Sequence, residues 1–481
     1  MIPSLSISIL VPQLIAAVLI FIVWPHRGQL SSIPLKICLA VGVGLGLFSC
    51  AFFVQLLVFG PSRTALISIQ VALLLLLTAL LFYAVKSRKK SATGVDPVET
   101  ASRSRLGLIL SVIFVVALVA ASLSFIFISL RRPHGEWDAW AVYNMKARFI
   151  FRAGEHWKDL YTEPLYWSGT DYPLLIPATI AGIWTLMGRE SVAVPPLVAM
   201  LFTLGTAGVA ASALTVLRSK CQGLLAGLIL ISTPYFVAHG ADQYSDIPIG
   251  FFFLATFVLL SLHNRSTEGE VRFLFLAGVT AGLAAWTKNE GLLFVLAVIV
   301  ARLAVTVPRN GLRRFLKEMI PFAVGFIPLV TVVLYLKLEL GQPNGLISPT
   351  EGPPFMAKIT EFARYRIIAA SYLEQLFIFG DWAVSVVPLL ICYLLLIGKT
   401  IEERDRPSIA VTFAVLGIML AGYFMIYVLS PRDVAWHVLT SLNRLCSQLW
   451  PSFLFGFFLI ARPPEVALMK KETRLAASAL P

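Results

Sequence analysis

Apolar residues in this chain run on in long blocks, from Leu5 to Ile460, with polar residues confined to the breaks between them. The blocks show neither the alternation of a half-buried strand nor the stripe of a surface helix. A run of ~20 apolar residues carries a helix across ~30 Å of hydrocarbon, because a helix rises ~1.5 Å per residue. The blocks predict thirteen spans: 5–24, 37–59, 64–85, 106–130, 192–217, 222–239, 248–262, 273–287, 291–307, 319–338, 382–398, 408–429 and a short last one, 450–461. Alternating strands of ~10 residues are absent, which argues against a membrane β-barrel. The expected fold class is therefore an all-α, polytopic transmembrane helical protein.

One further apolar stretch, 172–187, leaves the topology open, and charge decides it. Short cytoplasmic loops collect Lys and Arg. The linkers 86–105 and 302–317 are the basic ones, with Lys86, Arg88, Lys89, Lys90, Arg103 and Arg105 in the first and Arg302, Arg309, Arg313, Arg314 and Lys317 in the second. They fall on one side only if 172–187 lies at the interface or merely dips in, and it is read as a juxtamembrane helix. The N-terminus is then outside and the C-terminus inside. Inner segments hold 24 of the 39 Lys and Arg and 10 of the 26 Asp and Glu. Outer segments hold the remaining 15 and 16, so the outer face is rich in charge but balanced, as suits a site for polar substrates or a metal.

Composition sharpens the class. The chain is 58% hydrophobic and 14% charged, with a mean hydropathy of +0.83, far from the ~25% charge of a soluble domain. Its net charge of +13 belongs to the positive-inside loops, and nucleic-acid binding is not expected. The five cysteines, Cys38, Cys50, Cys221, Cys392 and Cys446, form no C-x-x-C or Cys/His cluster, so no zinc site or disulfide framework is indicated. The opening MIPSLSISIL lacks a basic n-region, and 5–24 reads as a retained helix. The chain divides into an N-terminal three-helix membrane unit (1–86), a polar cytoplasmic linker (87–105), a membrane core (106–338) with an outer loop 131–190, and C-terminal membrane helices (339–481) with outer loops 339–381 and 430–449.

The candidate chemistry lies in the outer segments. The first loop opens GEWDAWAVYNMKARFIF, with Glu136 and Asp138 just past a spanning helix. Trp140, Tyr143, Lys146 and Phe149 then give an aromatic stripe, as on a helix lying in the interface. A surface carboxylate beside cations can deprotonate a hydroxyl or hold a divalent metal, and the cations Lys146 and Arg148 can neutralise a phosphate. Asp138 can equally cap the interfacial helix. In GADQYSDIP, Asp242 and Asp246 share a face at spacing i, i+4 if the segment is helical, while Pro248 suits a helix start and makes Asp246 a natural N-cap. In TKNEG, Lys288 and Glu290 lie almost in hydrocarbon, where ionisable groups face a cavity or each other. Between 430 and 449, Arg432 and Arg444 can clamp a phosphate or bind lipid headgroups, and His437 reads as structural or as a site residue. No Walker A, dinucleotide fingerprint, nucleophile elbow or H-E-x-x-H motif is present, which fits a donor already carried by lipid.

Taken in order, these segments resemble the GT-C class of membrane glycosyltransferases, to which the aminoarabinose transferase of lipid A and the protein O-mannosyltransferases belong. An acidic residue follows a spanning helix in a long first outer loop (EWDAW). A Tyr-Pro motif then opens a juxtamembrane helix (DYPLLIP, with Asp171, Tyr172 and Pro173). An Asp-x-Pro motif follows (SDIP), and a Thr-Lys turn (TKNEG) resembles the family's Thr-Lys-Gly. The likeness covers roughly 106–310 and implies a bacterial inner-membrane transferase moving a sugar, with inversion, from a polyprenyl-phosphate donor to a lipid, glycan or protein acceptor at the periplasmic face. It implies Asp138 as catalytic base or metal ligand with Glu136 beside it, Asp246 in a second acidic motif with Asp242, and Lys146, Lys288, Arg432 and Arg444 toward the donor phosphate. Asp171, Tyr172, Glu290 and His437 are further site candidates. A divalent cation, Mg or Mn, would sit on Asp138 and Asp246. The chain departs from the family pattern in carrying three extra helices before the acidic loop and no large soluble C-terminal domain. A polytopic transporter or lipid flippase is the alternative; it requires charged residues at mid-membrane in broken helices.

Overall fold

The computed structural model describes residues 2–24, 32–89, 105–266, 270–342 and 355–468, and it is built of helices. Most of the 87–105 linker lies outside these residues, as does 343–354 of the predicted outer loop 339–381. The first four helices are α1 (Ile2–Val23), α2 (Ile33–Phe59), α3 (Arg63–Lys89) and α4 (Arg105–Arg131). A π-helical turn, Ala139–Tyr143, leads into α5 (Asn144–Arg152), and two short 3₁₀ segments lead to α6 (Leu175–Met187). Then come α7 (Val194–Leu217), α8 (Lys220–Ile231), α9 (Pro234–Ala241), α10 (Asp246–Arg265), α11 (Val271–Thr287) and α12 (Glu290–Tyr335). The C-terminal part holds α13 (Phe355–Thr360), α14 (Phe362–Ile378), α15 (Val386–Ile397), α16 (Arg406–Leu429) and α17 (Val434–Ile460).

Eight of the described helices are long and apolar enough to cross a membrane, or nine if the bent pair α8–α9 is one span. The chain is a polytopic helical membrane protein. Helix α10 is its centre, buried along its apolar length, whereas α3 and α4 expose most of their leucines, valines and phenylalanines to the surroundings that a bilayer would fill. Lipid supplies no hydrophobic drive between helices, so small residues bring backbones together instead. A Cβ on Gly278 of α11 would meet the Phe322 carbonyl of α12 at 2.0 Å, and one on Gly325 would meet the Phe275 carbonyl at 2.2 Å.

Three predicted elements differ from their observed form, and a fourth stretch, 172–187, forms a short helix packed inside the protein. Helix α6 buries every residue but Leu186 inside the protein, with Thr179 donating to the Leu45 carbonyl of α2 at 3.3 Å. At ~1.5 Å per residue its 13 residues fall short of a full crossing. Span 222–239 is broken, because Pro234 disfavours helix at the preceding residue, and α8 and α9 meet at 60°. Spans 291–307 and 319–338 form one helical run through the basic linker, interrupted at Gly311 (φ 78°, ψ 161°). Finally, the predicted loop 430–449 is helical from Val434. Asp433 accepts the Trp436 N–H at 2.8 Å as N-cap, and α17 runs on through the predicted last span. Its polar residues Arg444, Ser447 and Gln448 dilute the apolar signal because they face the protein interior rather than lipid.

Candidate functional site

Four segments distant in sequence meet where α10 begins. Helix α9 ends at Ala241, and Gln243 takes a left-handed φ of 63° to turn the chain into α10. Asp246, expected as the N-cap, is instead the first residue of that helix and makes no capping bond; Ser245 holds the cap position. Its carboxylate is fully buried and is held from four sides. Lys288 Nζ, from the α11–α12 turn, donates to Oδ1 at 2.8 Å, and Gln448 Nε2 of α17 donates to the same oxygen at 2.6 Å. Arg444 Nε donates to Oδ2 at 3.2 Å, and His239 Nε2 of α9 lies 3.2 Å from Oδ2. A buried carboxylate without such partners would be strongly destabilising.

Arg444 carries the network to the first loop. Its Nη2 donates to Asp138 Oδ2 at 2.6 Å, while its guanidinium lies over the Tyr244 ring at 4.5 Å. The Tyr244 hydroxyl in turn accepts the Asp138 backbone N–H at 3.3 Å. Asp138 does not cap the helix it begins, and its side chain is directed at Arg444 instead. Gly135 (φ 73°) allows the close approach of this loop to the α9–α10 turn, since a Cβ there would meet the Asp242 carbonyl at 2.4 Å. Glu290 Oε1 lies 3.0 Å from Lys288 Nζ and 3.5 Å from Gln448 Nε2. Asp242 lies 3.5 Å from His239 Nδ1 and 3.8 Å from Arg132, whose other partner is Glu136. The centre thus sets Asp138, Asp242, Asp246 and Glu290 against Lys288 and Arg444, with His239 between two of the carboxylates and Arg132–Glu136 at the rim.

Asp138, Asp246, Lys288, Glu290, Arg444 and Asp242 therefore come together, with Glu136 at the edge. Other candidates stand apart. Lys146 is fully buried rather than turned to an interface. It donates to the Gly169 carbonyl and lies 5.9 Å from the Tyr172 ring, and burial pulls its ammonium pKa down to about 7. The predicted aromatic stripe fails for the same reason: the π turn points Tyr143 inward. Asp171 belongs to a separate group in which Asn289 Nδ2 donates to its carboxylate at 2.7 Å and Lys337 Nζ donates to Asn289 Oδ1 at 2.6 Å. Burial pushes the Tyr172 and Tyr244 hydroxyls up to about 12, so neither is a base near neutrality. Arg432 is exposed and stacked on Trp436 at 5.5 Å, and His437 Nδ1 pairs with Ser430 Oγ at 2.9 Å under the Tyr427 ring. Neither of these last two touches the cluster.

His239, Tyr244, Asn289, Lys337 and Gln448 were not expected. His239, Asp242 and Asp246 are three and seven residues apart, a spacing that could have been noticed, and Gln448 is one helical turn beyond Arg444. Asn289 and Lys337 had no sequence signal. Among the described residues no three or more His, Cys, Asp or Glu side chains are placed to hold a metal. The Arg444 guanidinium lies between the Asp138 and Asp246 carboxylates, so a divalent cation shared by those two does not fit without displacing it.

Residues 171–336 match the family of dolichyl-phosphate-mannose-protein mannosyltransferases. That stretch holds Asp171, Tyr172, Asp242, Asp246, Lys288 and Glu290, whereas Asp138 and Arg444 reach the cluster from either side of it. No curated protein and no solved structure gives a significant match. The family match and the helical architecture support a membrane glycosyltransferase of the GT-C type.

Proposed function

We propose that this GT-C-type membrane glycosyltransferase moves a sugar from a polyprenyl-phosphate donor to an acceptor hydroxyl at the periplasmic face of a bacterial inner membrane. The observation that carries the reading is the joining of Asp138 to the buried Asp246–Lys288 pair through Arg444. Asp138, 24% exposed, takes the acceptor proton as general base. The acceptor oxygen bonds to the anomeric carbon from the face opposite the phosphate, so the configuration inverts. The bond from that carbon to the phosphate oxygen breaks, and its electron pair stays on the departing polyprenyl phosphate. Arg444, 21% exposed, meets the charge that builds there, with Lys288 buried behind it, and cations already in place when the bond breaks need no reorganisation at that moment. Asp246 is too buried to meet substrate; it holds both cations and, through Gln448, the middle of α17 in place. The side from which substrates enter rests on the charge asymmetry of the loops.

The broken helix α8–α9 is the one feature a transporter would share, but the charges gather at helix ends and not at its bend. Asp138→Asn should lower transfer from a polyprenyl-phosphate sugar by ~10²–10⁴-fold, the ordinary worth of a general base, with insertion and melting unchanged. Full transfer by that variant would remove the role given to Asp138. Because guanidinium and ammonium stand where the resemblance implies a divalent Mg or Mn ion, transfer should persist in excess chelator; complete loss restored by Mg or Mn would reverse this point.

A further inference from the structure

We infer that Arg444 exchanges partners during the reaction: it holds the Asp138 carboxylate until a donor phosphate arrives, then transfers to the phosphate and frees Asp138 for the acceptor. This rests on the transferase reading above and adds to it an order of events, donor first.

The two carboxylates on Arg444 are held very unequally. Asp246 loses little if the guanidinium turns away, because Lys288, Gln448 and His239 remain on it. Among the described residues, Arg444 is the one side-chain partner of the Asp138 carboxylate. Asp138 also sits on the loop side of the cluster and is partly exposed, as is Arg444 at 21%. The cluster already sets four carboxylates against two cations and a histidine. A phosphodiester entering beside Arg444 adds a further negative charge, and the anion with fewest bonds is the one to yield. A planar guanidinium also matches two phosphate oxygens at once, which favours the new pair. Tyr244 keeps the exchange local, since its ring supports the guanidinium plane and its hydroxyl holds the Asp138 backbone.

The exchange breaks one ion pair and forms another, and no proton moves in it. Afterwards the freed carboxylate accepts the acceptor hydroxyl proton as the new glycosidic bond forms. The phosphate leaves with one more negative charge, facing Arg444 with Lys288 behind it. Without donor, Asp138 stays masked, and neither an acceptor nor water is activated.

Competition for one guanidinium can be measured without turnover, by titrating a short-chain polyprenyl monophosphate into the purified full-length protein in detergent. Asp138→Asn should bind it roughly tenfold more tightly than wild type, within the usual range of coupling between sites. Glu136→Gln, which removes a nearby charge paired with Arg132 instead, should change affinity far less. In an Arg444→Gln background the gain from Asp138→Asn should vanish. An unchanged or weakened affinity of Asp138→Asn overturns the exchange, and so does a gain that persists without Arg444, which would be plain charge repulsion. If Arg444→Gln does not fold, equal gains from Asp138→Asn and Glu136→Gln overturn it just as well. No binding by wild type would remove the transferase reading together with the exchange, whereas binding with the wrong mutant pattern removes the exchange alone.

Discussion

Helix α10 begins and ends in a buried ionic cluster, and the two are built differently. At its far end, Arg265 donates two bonds to Asp405, at 2.6 and 2.5 Å. Arg218 joins Asp405 at 3.2 Å and Glu402 at 3.3 Å through Nη1, and its Nη2 donates to the Thr400 and Ala461 carbonyls. Arg404 also reaches Glu402, at 2.7 Å, so three cations there meet two carboxylates, and the group ties the α7–α8 turn, α10 and α16 to the end of α17. Nearby, Arg302 binds Glu318 across the Gly311 break and Arg314 binds it from the same side, at 2.5 Å each. In both networks every carboxylate has at least two cationic partners. The cluster at Asp246 is built the other way: carboxylates outnumber the two cations at its centre, and Asp138 hangs on a single guanidinium. A charge cluster that only fastens helices has every reason to give each buried carboxylate several cations, because an uncompensated buried charge is destabilising. One that must receive an anion keeps a cation whose partner can leave.

Mutation can break this contrast, most strongly at the first end. Transfer is the quantity that should collapse in Asp138→Asn, by the ~10²–10⁴-fold given above, with the melting temperature unmoved; a loss of stability of the same order would make Asp138 a fastener like Asp405. Asp405→Asn should do the reverse. It leaves Arg218 and Arg265 underpaired and should destabilise by about 3–5 kcal/mol, while the protein that survives keeps its kcat and KM in the transfer assay. Inactive protein with unchanged melting would put chemistry at the wrong end.

Lys146 offers a subtler measurement. Burial lowers its pKa to about 7 from an ordinary 10.5. Between those values the unfolded chain holds a proton that the folded protein does not, so stability should rise with pH, by up to about 1.4 kcal/mol per unit. The penalty is present in full below pH 7. Lys146→Met should flatten this dependence; an equal slope in the variant would show that other groups produce it. The smallest effect belongs to Arg432. It stacks on Trp436 at the surface, and Arg432→Gln should cost about 1 kcal/mol or less and leave transfer intact. A tenfold fall in transfer would return Arg432 to the phosphate site.

The sequence by itself determined the lipid-solvated helical class, because block length and hydropathy answer to the thickness of a bilayer and to nothing more distant. It also singled out Asp138, Asp246 and Lys288, since a charged residue at the edge of an apolar block is costly wherever it sits and needs a reason. Tertiary structure alone decided which charges share a neighbourhood. Lys146 and Arg444 are both single cations in partly apolar surroundings; one faces a backbone carbonyl, the other two carboxylates 198 and 306 residues away. The same holds for α17, read as a loop and a short span because Arg444, Ser447 and Gln448 break its hydropathy. Hydropathy averages around a helix, whereas burial depends on which face meets a neighbour. His239 and Gln448 were missed for that reason: a polar residue in an apolar run becomes part of a site only through what packing brings opposite it.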